Sequence, residues 1–324
     1  MATTILSPAR AAVDVHADGP AGDVRLVPRR RPGRWAAAAV VAVLGAMLLN
    51  TLVTNDRFEW PTVAHYFTQE AVLKGLWLTL WLTAVTFAAG FVLGIGLAAM
   101  RLWGGPLLQA VSFGFVWIVR SVPPLVLLLF WFQLASLYPQ LSLGIPFGPA
   151  FVTFDTTHLI GALVAAFIAL TIDVAAFAAE IVRGGLVSVD PGQTEAARSL
   201  GLSPRRIFRR IVLPQAMPAI IPAAGNLLIG LLKSTSLVSV IAVTDLLYSV
   251  QLVYNQNFKV MPLLLVATIW YIVITSVLAV GQYFVERRFN RGRRDARPFR
   301  EILADAARLR PRLPRTASRA GERG

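Results

Sequence analysis

The sequence predicts an all-α integral membrane protein with about six transmembrane helices and a folded helix-turn-helix loop between two of them. Three observations carry this prediction. A chain of 324 residues that is 56% hydrophobic, with a mean hydropathy of +0.63, is too apolar for a soluble domain. Apolar runs of about 20 residues recur along it, each enough to cross a hydrocarbon core of ~30 Å at ~1.5 Å per residue. The runs are continuously apolar rather than alternating, which selects helices over barrel strands.

Taken in order, residues 1–34 are polar, with Pro, Gly and Asp, and read as a disordered basic tail. No short apolar core precedes Arg29, Arg30 and Arg31, so the start does not read as a cleavable signal. Six spans follow: Trp35 to Val53, about Val72 to Met100, about Leu107 to Leu137, Leu159 to Glu180, about Gln215 to Leu232, and Leu263 to Val285. Gly90, Gly94 and Gly96 in the second span, and Gly225 and Gly230 in the fifth, permit close helix approach. Pro218 and Pro222 predict a kink in the fifth. Trp77, Trp81 and Trp103 fit the bilayer interface or a lipid-facing side. Beyond Glu286 the chain is arginine-rich, and Pro298, Pro311 and Pro314 interrupt any helix. Residues 291–324 therefore read as a second basic tail resting on anionic headgroups, each charge contributing on the order of 1 kcal/mol.

Charge orients the spans. With residues 1–34 on the cytoplasmic side, all but Arg57, Lys74, Arg120, Lys233 and Lys259 of the 31 basic residues also fall inside. Basic residues are retained on the cytoplasmic side of a membrane, so both termini are predicted cytoplasmic. The net charge of +14 thus belongs to the inner membrane surface, and no nucleic-acid partner is expected. The absence of cysteine rules out disulfides and thiolate chemistry, and His16, His65 and His158 lie too far apart in sequence to suggest a metal centre.

The inner loop at 190–214 is the most informative stretch. A helix starting near Pro191 ends at Gly201, and a second runs from Pro204 to Val212 with Ser203 as its expected N-cap. At 100° per residue, Arg205, Arg206, Arg209 and Arg210 take one face of this helix and Ile207, Phe208, Ile211 and Val212 the other.

The phrase Glu195-Ala196-Ala197, then Gly201, then Ile211-Val212-Leu213-Pro214, resembles the cytoplasmic loop of permease subunits of bacterial binding-protein-dependent ABC importers. Ala178-Ala179-Glu180-Ile181-Val182-Arg183-Gly184-Gly185, Gln193-Thr194-Glu195-Ala196-Ala197-Arg198 and Lys233-Ser234-Thr235-Ser236-Leu237 are similar to the polar amino-acid branch (histidine, glutamate, glutamine, arginine and opines). The resemblance covers roughly residues 70–290. It implies a five-helix core, to which Trp35 to Val53 is an addition. It also implies that Glu195, Ala196, Ala197, Gly201, Ile211, Leu213 and Pro214 form an energy-coupling element docked on an ATPase. The partners implied are a dimer of ABC ATPase subunits, a second permease subunit and an extracellular solute-binding protein, all at the bacterial cell membrane.

The chain itself shows no means of using ATP. A phosphate-cradling loop requires G-x-x-x-x-G-K-[ST]; Gly225 to Gly230 comes nearest, but Leu231 and Leu232 intervene before Lys233. A non-catalytic subunit that binds no cofactor is expected, with ATP and magnesium held by the partner ATPase.

Polar residues within the spans are the candidates for a solute path: Arg120, Thr171, Asp173, Lys233, Ser234, Thr235 and Ser236. An acid at the depth of Asp173 costs several kcal/mol unless paired or hydrated, so it faces the bundle interior. It either contacts solute, with Thr171 supplying a hydroxyl, or neutralises Lys233 or Arg120. The family commonly has Arg-Gly-Thr-Pro and Lys-Asp/Asn-Thr-Ser where this chain has Arg120-Ser121-Val122-Pro123 and Lys233-Ser234-Thr235-Ser236. Glycine betaine-like or opine solutes are alternatives to an amino acid. A secondary transporter would show an inverted repeat and several buried carboxylates; no repeat is visible and Asp173 is the one clear intramembrane acid.

Overall fold

The computed structural model describes residues 32–145 and 150–289. The expected tails lie outside the described residues, except Pro32 to Arg34, which open the first helix. That helix, α1 (Pro32–Thr54), forms a compact unit of its own with the residues up to Asp56. Ala36–Thr54 is uncharged with a mean hydropathy of 2.2, the pattern of a helix that meets lipid.

A 3-10 turn (Asp56–Phe58) crosses into the second unit, which begins at Arg57 and continues with α2 (Trp60–Phe67), α3 (Glu70–Trp103), α4 (Pro106–Ser121), α5 (Pro124–Phe132) and α6 (Leu134–Leu137). A β-hairpin of β1 (Gln140–Gly144) and β2 (Ala150–Asp155) leads to α7 (Thr156–Leu159) and α8 (Ala162–Val187). Then come α9 (Pro191–Ser199), α10 (Pro204–Ile207), a π turn (Phe208–Val212), α11 (Leu213–Ser234), a 3-10 segment (Thr235–Ile241), α12 (Leu246–Asn257) and α13 (Val260–Phe289).

The centre of this unit is the contact between α3 and α8, and small residues make it. On α3 the buried positions Gly75, Thr79, Thr83, Thr86, Gly90, Gly94 and Ala98 recur every three or four residues and so line one face. α8 meets this face at Gly90 and Gly94, with Ala165, Ala175, Ala176 and Ala178 wholly buried, while Gly75 and Thr79 meet Ser249 and Leu246 of α12. A Cβ at Gly90 would lie 2.6 Å from Val174 Cβ and 2.8 Å from the Thr171 carbonyl. At Gly94 it would lie 2.6 Å from Ala178 Cβ. The two backbones therefore touch, which is how helices gain attraction in lipid, where no hydrophobic force separates them from solvent. Thr83 and Thr86 donate to their own helix, at the carbonyls of Thr79 (2.7 Å) and Leu82 (2.6 Å), so their hydroxyls cost little here.

The third expected span is not one helix. α4 and α5 meet at 102°. Pro123 and Pro124 have no N–H to continue the ladder, and Val122, preceding a proline, is extended at φ −96°, ψ 130°. Ser112 Oγ, donating to the Leu97 carbonyl at 2.8 Å, anchors α4 on α3. The span expected over Leu159 to Glu180 is shifted: Leu159 closes α7, and α8 continues to Val187. Neither the hairpin nor α12 was expected from the apolar pattern. The strands pair antiparallel with Gln140 opposite Asp155, and β2 is exposed throughout. The start of α13 is held by Lys259, which bonds Glu59 Oε2 at 2.6 Å; the ammonium holds that carboxyl below its usual range.

The glycine face gives a direct expectation. Gly90→Val should lower thermal stability in detergent by about 1–3 kcal/mol through overpacking. Gly96→Val, where a Cβ meets nothing within 4 Å, should stay within about 0.5 kcal/mol. Melting curves of the two proteins check it, and equal shifts would remove the α3–α8 contact from its central place.

Candidate functional site

The inner loop is built from local rules. Asp190 Oδ1 accepts from the Gly192 N–H at 2.8 Å and Pro191 fills the first helical position, so α9 is capped and started within three residues. At the other end Gly201 has φ +73°, a conformation glycine adopts without strain. The Gly201 N–H donates to the Arg198 carbonyl (2.9 Å) and the Leu202 N–H to that of Ala197 (3.2 Å), closing a Schellman turn. Glu195 and Ala196 are exposed at this corner. Ala197 is not: at 3% exposure it is turned into the protein, where α9 packs on α10 and the π turn. Of the two alanines expected to allow close approach of a partner, Ala196 is exposed and Ala197 is buried.

The second helix of the loop also differs from expectation. Ser203 makes no side-chain cap; its carbonyl instead accepts from the N–H groups of Arg206 and Ile207. From Phe208 to Val212 the turn widens, and the Leu213 N–H bonds back to the Phe208 carbonyl. Pro214 cannot donate to Arg210 as a regular helix requires, and a wide turn absorbs that missing bond. α10 therefore runs on into α11 as one rod. Arg205, Arg206, Arg209 and Arg210 remain exposed on it, while Ile207 is buried and Ile211, Val212 and Leu213 are half-buried; Pro214 is exposed.

Beside the loop, Glu180 ties the C-terminal parts of α3 and α8 together. One of its oxygens accepts from Arg101 of α3, the other from Arg183 at 2.8 Å. The Arg101 guanidinium also lies over the Phe113 ring of α4 at 5.1 Å. Trp103, the last residue of α3, meets Phe208 edge-on at 5.5 Å. The position of the loop thus depends on an ion triad and one aromatic pair.

The intramembrane candidates do not form one cluster. Thr171 is buried against α3, beside Gly90, and its Oγ1 has no partner. Asp173, two residues on, is about 200° around α8 and half-buried, so the two do not share a surface. Among the described residues no ion pair joins Asp173 to Arg120 or Lys233. Arg120 lies over the Phe177 ring at 5.2 Å, one turn along α8 from Asp173. Acid and guanidinium therefore occupy the same flank of α8 without meeting.

Lys233 was expected at the outer end of its span. The residues before it are buried: Leu231 belongs to the cluster that holds Leu82 and Leu170, and Leu232 to the one that holds Val72 and Leu76. Lys233 is exposed and Ser234 half-exposed, and Ser236 Oγ donates to the Lys233 carbonyl at 2.7 Å. Thr235 instead faces the core and bonds the Leu232 carbonyl.

One intramembrane acid escaped the sequence reading. Asp245 has no exposed surface and caps α12, Oδ1 accepting from the Tyr248 N–H at 2.8 Å, while Tyr271 Oη stands 3.5 Å from Oδ2. The adjacent Leu246 N–H donates to Thr79 Oγ1 at 3.0 Å, and Asn257 at the far end of α12 reaches Tyr66. Thr79 lies nine residues into α3, so α12 starts deep in the bundle and climbs outward. The signal was present: an aspartate immediately before a helical stretch, in N-cap position.

Comparison with known proteins follows this geometry. Residues 90–291 match the family model described as binding-protein-dependent transport system inner membrane component. The arginine transport system permease protein ArgU of Corynebacterium glutamicum is 40% identical over 86% of this chain and 88% of its own. The probable glutamine ABC transporter permease protein GlnM of Bacillus subtilis is 32% identical over 68% of this chain and 93% of its own. A crystal structure of an amino acid ABC transporter with histidines superposes with a TM-score of 0.58 at 30% identity, covering 67% of this chain and 94% of that one. The MetNI methionine ABC transporter shares the fold, with a TM-score of 0.55 at 22% identity over 68% and 97%. A multi-pass helical bundle with this loop and these relatives belongs to the binding-protein-dependent transport system inner membrane components, as a permease subunit of the amino-acid ABC importer kind.

Proposed function

We propose that this chain forms half of the translocation path of an ATP-driven importer for a polar amino acid, coupled to a separate ATPase through Glu195 to Pro214. The observation that carries the reading is the exposed Glu195–Ala196 corner, held between a capped helix start and a glycine turn. It lies on the side where the arginines gather, which is the cytoplasmic side by the positive-inside rule. Both chain termini lie on that side of the bacterial cell membrane. ATPase subunits dock beneath and hold ATP and magnesium; this chain binds neither. A binding protein delivers solute from outside, and a second permease subunit completes the path. Arginine and glutamine in the names of the relatives support an amino-acid cargo.

The chemistry of the α8 flank suits such a cargo. Asp173 offers a carboxylate to an ammonium or guanidinium, and Arg120, one turn away, offers a guanidinium to a carboxylate. Among the described residues no ion pair consumes either, although Arg120 lies near enough to Glu180 for that carboxylate to feel its charge. Lys233 and Ser234 are further exposed polar groups at the end of α11. Thr171 and Thr235 face the core and act in packing.

Three measurements test the reading. Proline cannot take the φ of Gly201, so Gly201→Pro combined with Glu195→Arg should cut uptake at least about tenfold with inserted protein unchanged, a loss of 1.4 kcal/mol or more in coupling. Full uptake and full stimulation of the ATPase by the double variant would refute the coupling assignment. Asp173→Asn should change uptake rate or solute preference by about tenfold with folded yield preserved. A fall in yield that Arg120→Gln or Lys233→Gln restores would instead make Asp173 a structural charge. Finally, Leu200→Cys, at an 80% exposed position beside the corner, places a spin label on each of two permeases. Its label-to-label distance should shorten on ATP binding; a constant distance in a transporting complex contradicts movement of the loops.

A further inference from the structure

Two adjoining recesses at the inner corner of the bundle have no role in the reading above. The first is an apolar cleft of about 540 Å³ between the inner ends of α3 and α8 and the start of the α10–α11 rod. Leu102, Trp103, Leu186, Val187, Phe208 and Val212 line it, and Arg198 and Arg205 stand among its lining residues. The second, of about 460 Å³, is lined only by Ser203 and the four arginines Arg205, Arg206, Arg209 and Arg210. Arg205 lines both, so the arginine recess and the apolar cleft adjoin at that side chain.

No acid lines either recess, and none of these arginines forms an ion pair among the described residues. The depth is fixed by Trp103, which ends α3 and is 64% exposed, the situation of a tryptophan at a bilayer interface. The cleft therefore opens at the boundary between acyl chains and headgroups.

The pair of recesses specifies an occupant. The cleft demands an apolar chain, and the arginines demand an anion, for which the guanidinium fork suits a phosphate. An amphiphile with an anionic head satisfies both. The chain's own arginine-rich segments are repelled by like charge. A free phosphate would leave the cleft empty, and so would an acidic protein surface. We propose that this corner holds one anionic phospholipid of the inner leaflet, its phosphate on Arg205 and Arg209 and an acyl chain in the cleft beside Trp103. The site goes beyond the transport reading, and it makes the start of the rod a point where the membrane grips the protein.

Native mass spectrometry of the detergent-purified full-length protein, with its co-purifying partners, tests this. Phosphatidylglycerol and phosphatidylcholine of identical acyl chains are titrated separately, with inorganic phosphate as competitor. Wild type should retain phosphatidylglycerol in preference to phosphatidylcholine. Arg205→Gln with Arg209→Gln should weaken that adduct about thirtyfold, and the double lysine variant should keep most of it, which separates charge from misfolding. Val187→Trp, filling the cleft and leaving every arginine, should also weaken it about tenfold. The proposal is overturned if the two lipids bind equally or if inorganic phosphate displaces the lipid fully. It is overturned equally if the glutamine variant retains its lipid while losing a co-purifying ATPase, an outcome that would assign the arginines to a protein partner.

Discussion

Everything that positions the candidate site hangs on the backbone contact between α3 and α8. In lipid, two helices gain little by hiding apolar side chains from solvent, so close approach of backbones has to supply the attraction. Gly90 and Gly94 leave no room for even a methyl group, and the α8 side answers with alanine. That choice settles which flank of α8 is free. Thr171 and Val174 are turned toward α3, so Asp173 and Phe177 point elsewhere, beside Arg120. The same contact carries α8 down to Glu180, where Arg101 and Arg183 converge, and from there to the capped start of α9.

Where the helices break, the bilayer imposes a second constraint, because backbone groups without partners are costly at that depth. The chain breaks twice near the middle of the bundle, at Val122 to Pro124 and between Ile241 and Asp245. Around Asp245 each potential orphan is answered. The carboxylate takes the Tyr248 N–H, and Thr79 takes that of Leu246. Asp245 is thus a structural acid serving a helix start, while Asp173 is an acid with no such employment. Two aspartates at membrane depth have different roles because one is tied up by backbone donors and the other is not.

Much of this was legible in the sequence. Continuous apolar runs announced the bundle, and Asp190, Pro191 and Gly201 announced the geometry of the loop, because capping and positive φ are local properties. The break at Pro123 and Pro124 was visible as two missing donors, but the largely apolar stretch from Leu107 to Leu137 favoured one span. Hydropathy responds to composition, not direction. α12, at twelve residues, is too short to register as a span, and the exposed hairpin presents no buried face to read. The burial of Ala197 depends on which neighbour its helix meets, and spacing alone gives angles without that neighbour; the angle of about 200° between Thr171 and Asp173, by contrast, was legible in their two-residue spacing.

The π turn at Phe208 to Val212 has a mechanical meaning. Had Pro214 ended the helix, α10 and α11 would be jointed, and a push at the 190–214 loop would dissipate at the hinge. Instead the wide turn keeps Pro204 to Ser234 one continuous helical rod, about 46 Å along its path, with Pro218 and Pro222 inside it, and Gln282 of α13 braces it by donating to the Pro222 carbonyl. Such a rod is a lever arm. A tilt of only about 5° at the Glu195 corner would sweep Lys233 through roughly 4 Å, over a rod of that length. A motion too small to disturb the α3–α8 contact could in that way be geared up to the width of a solute.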